Sequence, residues 1–159
     1  MIDKVIFLDI DGVLNCQSSK SKCAGFIGVD NSKVKILKEI VDKTNAKIIL
    51  ISSWKNNWEK DKDIIRYDGK YLDKKLKKQG LYILDKTKDS GSNRGEGIYN
   101  FIKENNVKYW VVIDDVIFYD YRKYGINDHL VKTEFYKDDG GLQEKHIKIV
   151  INILNGEIK

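Results

Sequence analysis

An acidic pair directly after a short apolar segment is the feature that most constrains how this chain can fold. Residues 5–8 are Val-Ile-Phe-Leu, and Asp9 and Asp11 follow at once, with Gly12 behind them. Such a short, partly β-branched run predicts a buried strand. At the carboxyl end of a strand in an open α/β sheet, both carboxylates would project into the crevice where these sheets bind ligands. Two like charges this close need a cation or a shared proton, and Mg²⁺ is the natural partner of oxygen ligands.

Apolar and amphipathic segments alternate along the rest of the chain. The pattern predicts strands over residues 4–8, 47–51, 81–84, 109–113 and 131–133, with an irregular stretch over residues 12–30. It predicts helices over residues 31–44, 71–79 and 143–154, and a further helix that begins with a capping box of Asn93 and Glu96. This alternation predicts one doubly wound α/β domain over residues 1–159, with a mostly parallel sheet.

Composition and charge narrow the class of protein. The chain has 159 residues, 42% of them hydrophobic and 33% charged, as in a soluble globular domain. It has no apolar stretch of membrane-spanning length, no signal peptide pattern, and only two cysteines. We therefore expect no membrane partner and a cytoplasmic location. The net charge of +5 favours phosphate-rich partners, although it is below the density of a dedicated nucleic-acid binder.

Three later segments carry groups that could complete a phosphate site. Ser52 and Ser53 follow the second predicted strand, and either hydroxyl could bind a phosphoryl oxygen, with Ser52 preferred because the apolar run stops at residue 51. Arg94 stands at the start of a predicted helix, whose N-terminus also attracts anions. Lys55 and Lys88 are rival candidates for this cationic role.

The third segment is an apolar strand that ends in two acids. Val111-Val112-Ile113 is followed by Asp114 and Asp115. Asp115 is the first choice as a direct metal ligand, and Asp114 would assist or orient it.

The order and spacing of these segments resemble the four motifs of the haloacid dehalogenase (HAD) superfamily, and the resemblance spans nearly the whole chain. A narrower resemblance is to the HAD domain of Swiss-Army-knife RNA-repair proteins. It is carried by Ser52-Ser53-Trp54-Lys55, Arg94-Gly95-Glu96-Gly97-Ile98, Ile113-Asp114-Asp115 and the late Leu130-Val131-Lys132-Thr133 … Gly141-Leu142. In that group the basic residue is often an arginine in R-G-x-x-I, whereas most HAD enzymes have a lysine there.

The resemblance implies a Mg²⁺-dependent phosphatase. Asp9 would be the nucleophile that forms an aspartyl-phosphate, and Asp11 the general acid and base. Mg²⁺ would bind Asp9, the backbone carbonyl of Asp11, and Asp115 or the Asp114–Asp115 pair. Ser52, with Ser53 as the alternative, and Arg94 would bind the phosphoryl oxygens.

The substrate class is inferred from the room left for a cap domain. The two places where HAD enzymes carry caps, residues 16–30 and 55–93, hold at most a flap, a helix and a short strand, so the site should be open. An open site and a basic chain favour phosphorylated RNA or DNA ends as partners. A small-molecule phosphatase such as a nucleotidase, a protein phosphatase, and a catalytically idle binding domain are the alternatives. The sequence assigns no oligomeric state.

Overall fold

The computed structural model describes residues 1–158, and its core is a parallel five-stranded sheet. The strands in chain order are β1 (Lys4–Leu8), β2 (Lys22–Cys23), β3 (Phe26–Ile27), β4 (Lys47–Leu50), β5 (Ile83–Lys86), β6 (Tyr109–Asp114) and β7 (Leu130–Lys132). The helices are α1 (Asn31–Thr44), α2 (Tyr67–Lys77), α3 (Arg94–Asn105) and α4 (Glu144–Leu154), and there are two short 3₁₀ helices at Ser53–Asn57 and Asn127–His129.

The main sheet has the strand order β5-β4-β1-β6-β7, and all four pairings are parallel. The strand that comes first in the chain, β1, is therefore the central one. Leu8 at its end pairs with Leu50 of β4 on one side and with Ile113 of β6 on the other. The carboxyl ends of these three strands meet at one edge. The strand order reverses beside β1, because the chain adds β4 and β5 on one side of it and then β6 and β7 on the other. Open α/β sheets form their ligand crevice at such a reversal.

Helices cover both faces of the sheet. On one face, Leu37 of α1, Leu72 of α2 and Val150 of α4 share a core with the inward residues of the strands. On the other face, Ile98 of α3 packs with Tyr121 from the long connection after β6. The central strands β1, β4 and β6 carry continuous apolar runs, as expected where both faces of a strand are buried. The predicted doubly wound, mostly parallel α/β fold is confirmed.

No substantial cap is inserted between β1 and α3. The first candidate region holds the two-residue strands β2 and β3, which pair as a small antiparallel hairpin. This hairpin replaces part of the stretch predicted to be irregular. The second region holds a 3₁₀ helix, α2 and β5. Within residues 1–158, no helix has the length and apolar character needed to cross a bilayer.

Two elements, α2 and β5, have boundaries that differ from the prediction by more than one residue. Helix α2 runs over Tyr67–Lys77 and not over residues 71–79, because its first turn contains Gly69, which packs closely against the 3₁₀ helix. A Cβ at Gly69 would lie 2.2 Å from the carbonyl oxygen of Asn57. Strand β5 covers Ile83–Lys86 and not residues 81–84, since this edge strand ends in the polar pair Asp85-Lys86.

Candidate active site

Three carboxylates from β1 and β6 form an acidic cluster at the carboxyl edge of the sheet. Asp9 follows β1, Asp114 ends β6, and Asp115 comes next; one carboxylate oxygen from each lies within 4.8 Å of the other two. The neighbouring strands β1 and β6 are in register at Leu8 and Ile113, so their next residues meet. Parallel pairing thus brings together acids that are far apart in sequence.

Burial and mutual repulsion disfavour the charged forms of the acidic cluster, although Arg94 partly offsets this at Asp9. Burial, and after it the charge of Asp114, raises the pKa of Asp9 well above its usual range. Burial also raises the pKa of Asp115, and Asp114 adds to that effect, although a hydrogen bond with Asp9 opposes it. A dication would relieve this repulsion, and an all-carboxylate oxygen set suits Mg²⁺. The donor set therefore fits the metal that the sequence suggests.

Asp114 is fully buried and already hydrogen-bonded on both oxygens. Its Oδ2 accepts from Nη1 of Arg94 at 2.8 Å and from the hydroxyl of Tyr121 at 2.6 Å, and its Oδ1 accepts from the backbone N–H of Val116 at 3.0 Å. Burial, and then the charge of Asp114, raises the pKa of Tyr121 far above its usual value, so the phenol stays a neutral donor. These contacts suit Asp114 to orienting its neighbours, and they leave Asp9 and Asp115 freer to bind a metal.

Arg94 connects this acidic cluster to α3. Its Nη1 lies 3.5 Å from Oδ1 of Asp9 in addition to its contact with Asp114, and its guanidinium lies 4.2 Å from the ring centre of Phe118. Burial alone would lower the pKa of Arg94, but the charges of Asp9 and Asp114 raise it, so the group stays protonated. Among the described residues, Nε of Arg94 is the one buried side-chain nitrogen or oxygen without a hydrogen-bond partner. A buried cationic donor without a partner is a feature expected of an anion site.

The N-terminus of α3 is capped by a residue distant in sequence. The predicted capping box is wrong: the Asn93 side chain makes no cap bond and instead donates to the Glu96 carboxylate. The buried carboxylate of Asp120 accepts from the backbone N–H groups of Gly95 and Glu96, each at 3.0 Å. It fixes the first turn of α3, and with it the residue that begins the helix, Arg94.

Asp11 is exposed and is not part of the acidic cluster. Its Oδ1 accepts from Nδ2 of the buried Asn15 at 2.9 Å, and its Oδ2 accepts from the indole N–H of Trp54 at 3.1 Å. The two bonds hold an exposed carboxylate in one orientation, as a group that transfers protons requires.

Gly12 allows the acidic pair and Asp115 to approach each other. Its φ of +84° is in the left-handed region, and a Cβ there would lie 2.4 Å from Cγ of Asp115. Only glycine meets both conditions without displacing a site residue.

The serine segment lies at the end of β4, beside β1. Ser52 is buried and its Oγ accepts from the backbone N–H of Trp54 at 3.3 Å, which leaves its own hydroxyl hydrogen free for another acceptor. Ser53 is exposed. Of the rival cations, Lys88 is exposed, whereas Lys55 is buried and its Nζ pairs with Oδ1 of Asp89 at 2.5 Å. Neither lysine contacts the acidic cluster among the contacts of residues 1–158, in contrast to Arg94.

A cavity of about 390 Å³ opens beside Asp11. The hairpin of β2 and β3 forms one side, and the 3₁₀ helix after β4 forms another. Phe26, Trp54 and Phe135 contribute aromatic rings to its lining. Trp58, one helical turn after Trp54, is buried in the core, and its indole N–H donates to Asp73 at 2.8 Å.

The contacts that four residues make in this site were not predicted from the sequence. Asn15 and Trp54 orient Asp11, Tyr121 orients Asp114, and Asp120 caps α3. The two last residues lie in a connection without apolar periodicity, so no local pattern marks them. Trp54 belongs to one of the segments that carry the family resemblance. The contact of its indole N–H with Asp11, 43 residues earlier, has no signature in the sequence.

The comparisons with known proteins agree with this geometry. A family model described as the HAD domain in Swiss Army Knife RNA repair proteins matches residues 5–147, which includes every residue of the site described above. No match was found among curated proteins or among solved structures. Because the family model covers most of the chain, the protein belongs to the HAD domain family of Swiss Army Knife RNA repair proteins.

Proposed function

We propose that the protein is a Mg²⁺-dependent phosphatase that acts through an aspartyl-phosphate on phosphorylated nucleic-acid ends. Membership of the HAD family supports a phosphatase-type hydrolase. The observation that carries the finer proposal is the buried Asp9 carboxylate, placed between Asp115 and the partly unpaired guanidinium of Arg94. The proposed nucleophile, metal ligand and anion-binding donor thus lie together at the carboxyl edge of the sheet.

The proposed mechanism divides the work among the residues of this site. Asp9 attacks phosphorus, and the bond to the leaving oxygen breaks as Asp11 gives that oxygen a proton. Asp11 then takes a proton from the water that hydrolyses the aspartyl-phosphate. The Nε–H of Arg94 donates to one equatorial phosphoryl oxygen, and the hydroxyl of Ser52 donates to another, because transition-state charge collects on these oxygens.

Asp9 and Asp115, with the backbone carbonyl of Asp11, would hold Mg²⁺, which supplies charge neutralisation between nucleophile and phosphate. Asp114 keeps the direction of Arg94 constant through its 2.8 Å bond. Asn15 and Trp54 keep the Asp11 carboxylate aimed at the mouth of the cavity.

Nucleic-acid ends are proposed because the site is open and the chain is basic. The net charge is +5, and the region between β1 and β4 provides only a small hairpin over the site. A nucleotidase is the second candidate function, since a cavity of about 390 Å³ falls in the range of small-ligand sites, roughly 300–1,000 Å³.

Phosphate release from a substrate panel tests the proposal. The panel contains 5′- and 3′-phosphorylated RNA and DNA oligomers, mononucleotides, sugar phosphates and a phosphopeptide, each with Mg²⁺ and with a chelator. We expect release that requires Mg²⁺, favours oligomers, and disappears in Asp9→Asn but not in the matched exposed control Asp3→Asn.

The other outcomes identify the alternatives. Preference for mononucleotides would replace the end-processing proposal with the nucleotidase. Preference for the phosphopeptide would replace it with a protein phosphatase. If folded wild-type protein releases phosphate from none of these substrates, the proposal fails. A catalytically idle binding domain then becomes the leading interpretation.

A further inference from the structure

The cavity beside Asp11 has three aromatic rings in its lining. Trp54 and Phe135 are half-buried in its wall, whereas Phe26, at the start of β3, is 77% exposed. An exposed phenylalanine on a hairpin adds nothing to the core described above. Placed beside a cavity that already has two other aromatic rings, it provides a surface for a flat apolar group.

The polar part of the lining excludes a second phosphate. Asp11 and Asp68 both contribute carboxylates to this cavity, and no lysine or arginine of the described chain lines it. Asp68 accepts from Nδ2 of Asn57 at 3.0 Å and from the thiol of Cys23 at 3.6 Å, so it is fixed in place and keeps free lone pairs. A phosphate would be repelled here, but a neutral ring with N–H donors would be bound.

The hairpin that carries Phe26 is anchored to α2 and not left loose. Gly28 directly follows β3, and a Cβ on it would lie 2.3 Å from the hydroxyl of Tyr71. The hydroxyl of Tyr71 also accepts from the backbone N–H of Val29 at 3.1 Å. The ring of Tyr71 packs against the ring of Trp54, with centres 6.2 Å apart. The cavity walls are therefore connected to one another, which favours a preformed subsite.

We propose that this cavity is a nucleobase subsite, which holds the base of the nucleotide that carries the scissile phosphate. The base would stack on Phe26 and Trp54 and offer its N–H groups to Asp68. Because the indole of Trp54 also donates to Asp11, a base stacked on it lies next to the proposed general acid. That acid would protonate the leaving oxygen of the same nucleotide. This inference rests on the proposed function, and it names the part of the substrate that the site recognises.

The first test compares base-bearing with abasic ends. RNA hexamers phosphorylated at the 5′ or the 3′ terminus carry either adenosine or an abasic ribose at the phosphorylated nucleotide. Since base–aromatic stacking is worth about 1–3 kcal/mol per base, we expect a preference of roughly 5-fold to 150-fold in kcat/KM for the base-bearing end. Phe26→Ala should reduce that preference several-fold, and Phe26→Leu should also reduce it, because leucine keeps the apolar contact but has no ring.

The matched control is Tyr136→Ala. Tyr136 is an aromatic residue that is 83% exposed, much like Phe26, but it is not part of the cavity lining. The control should keep the wild-type preference. Equal use of base-bearing and abasic ends by the wild type, or an equal loss of preference in both alanine variants, would overturn the subsite.

The second test needs no catalysis, so it separates the subsite from the phosphatase proposal. Adenosine 5′-monophosphate and ribose 5-phosphate are titrated against the wild type and Phe26→Ala, with tryptophan fluorescence as the signal. We expect saturable quenching by the nucleotide alone, and at least 5-fold weaker binding in Phe26→Ala.

Trp54→Phe assigns the signal, because it should remove the quenching. If no substrate is hydrolysed but this binding is seen, the phosphatase proposal fails and the subsite stands. If hydrolysis is seen but both ligands bind alike, the subsite fails and the phosphatase stands.

Discussion

The cap that Asp120 places on α3 should be essential to both stability and phosphate binding. Its carboxylate accepts two backbone hydrogen bonds of 3.0 Å at the start of the helix and is only 5% exposed. A hydrogen bond to a charged group contributes about 1.5–3 kcal/mol, and the loss of a helix cap costs about 0.5–2 kcal/mol. We therefore expect Asp120→Ala to lower the free energy of unfolding by about 2–4 kcal/mol. Asp120→Asn keeps one acceptor and should lose about half as much.

The functional effect follows from the position of Arg94 at the first residue of the same helix turn. When Gly95 and Glu96 lose their acceptor, the turn loosens and the guanidinium loses its fixed direction toward the phosphate. We expect KM for a phosphorylated oligomer to rise about 10-fold in Asp120→Ala, which corresponds to about 1.4 kcal/mol. Gly95→Ala should reproduce the effect, because its Cβ would lie 2.6 Å from Oδ1 of Asp120.

Urea unfolding followed by far-ultraviolet circular dichroism measures the first effect, and Michaelis kinetics measures the second. Asp3→Asn removes an exposed carboxylate and should change neither quantity by more than experimental error. The reasoning is refuted if Asp120→Ala unfolds within about 0.5 kcal/mol of the wild type, or if it unfolds early but binds substrate unchanged.

Three further perturbations have defined outcomes. Gly12→Ala should abolish turnover and cost about 1–3 kcal/mol in the free energy of unfolding, because its methyl group displaces Asp115; normal kinetics would contradict this. Lys55→Met should cost about 3–5 kcal/mol in urea unfolding because it leaves the buried Asp89 carboxylate unpaired, and the double variant with Asp89→Asn should recover part of the loss. Burial lowers the pKa of His129 below its usual 6.5, so at lower pH the unfolded chain binds a proton that the folded chain does not, and stability is lost as pH falls below 6.5. The free energy of unfolding, measured at pH 7.5 and 5.5, should therefore depend less on pH in His129→Gln than in the wild type; an unchanged pH dependence would contradict this.

The central part of the fold could be read from the sequence because β1, β4 and β6 are buried on both faces. Each is therefore a continuous apolar run that stops where the polar site residues begin. At the sheet edge this signal weakens, since β5 ends in Asp85 and Lys86, and the prediction placed this strand two residues too early. The start of α2 was missed because Gly69 serves packing against the 3₁₀ helix, which propensity does not record.

The same difference separates the site residues that could be predicted from those that could not. Asp9, Asp114 and Asp115 are marked by their position after apolar strands, so their proximity could be predicted from parallel pairing alone. The residues that orient them cannot be predicted in this way. Asp120 and Tyr121 reach α3 and the acidic cluster through tertiary packing of an irregular connection, and such contacts leave no periodic pattern.

The central place of β1 also determines when the active site can exist during folding. Lys4 must pair with Tyr109, so the first strand of the chain cannot gain its second neighbour until β6 has formed. Pairings of such long sequence separation are slow, and they come late relative to local helices. A partly folded form in which β1 pairs only with β4 contains the proposed nucleophile Asp9 but does not yet hold it beside Asp114 and Asp115. The proposed phosphatase activity would then appear only after β6 has paired with β1.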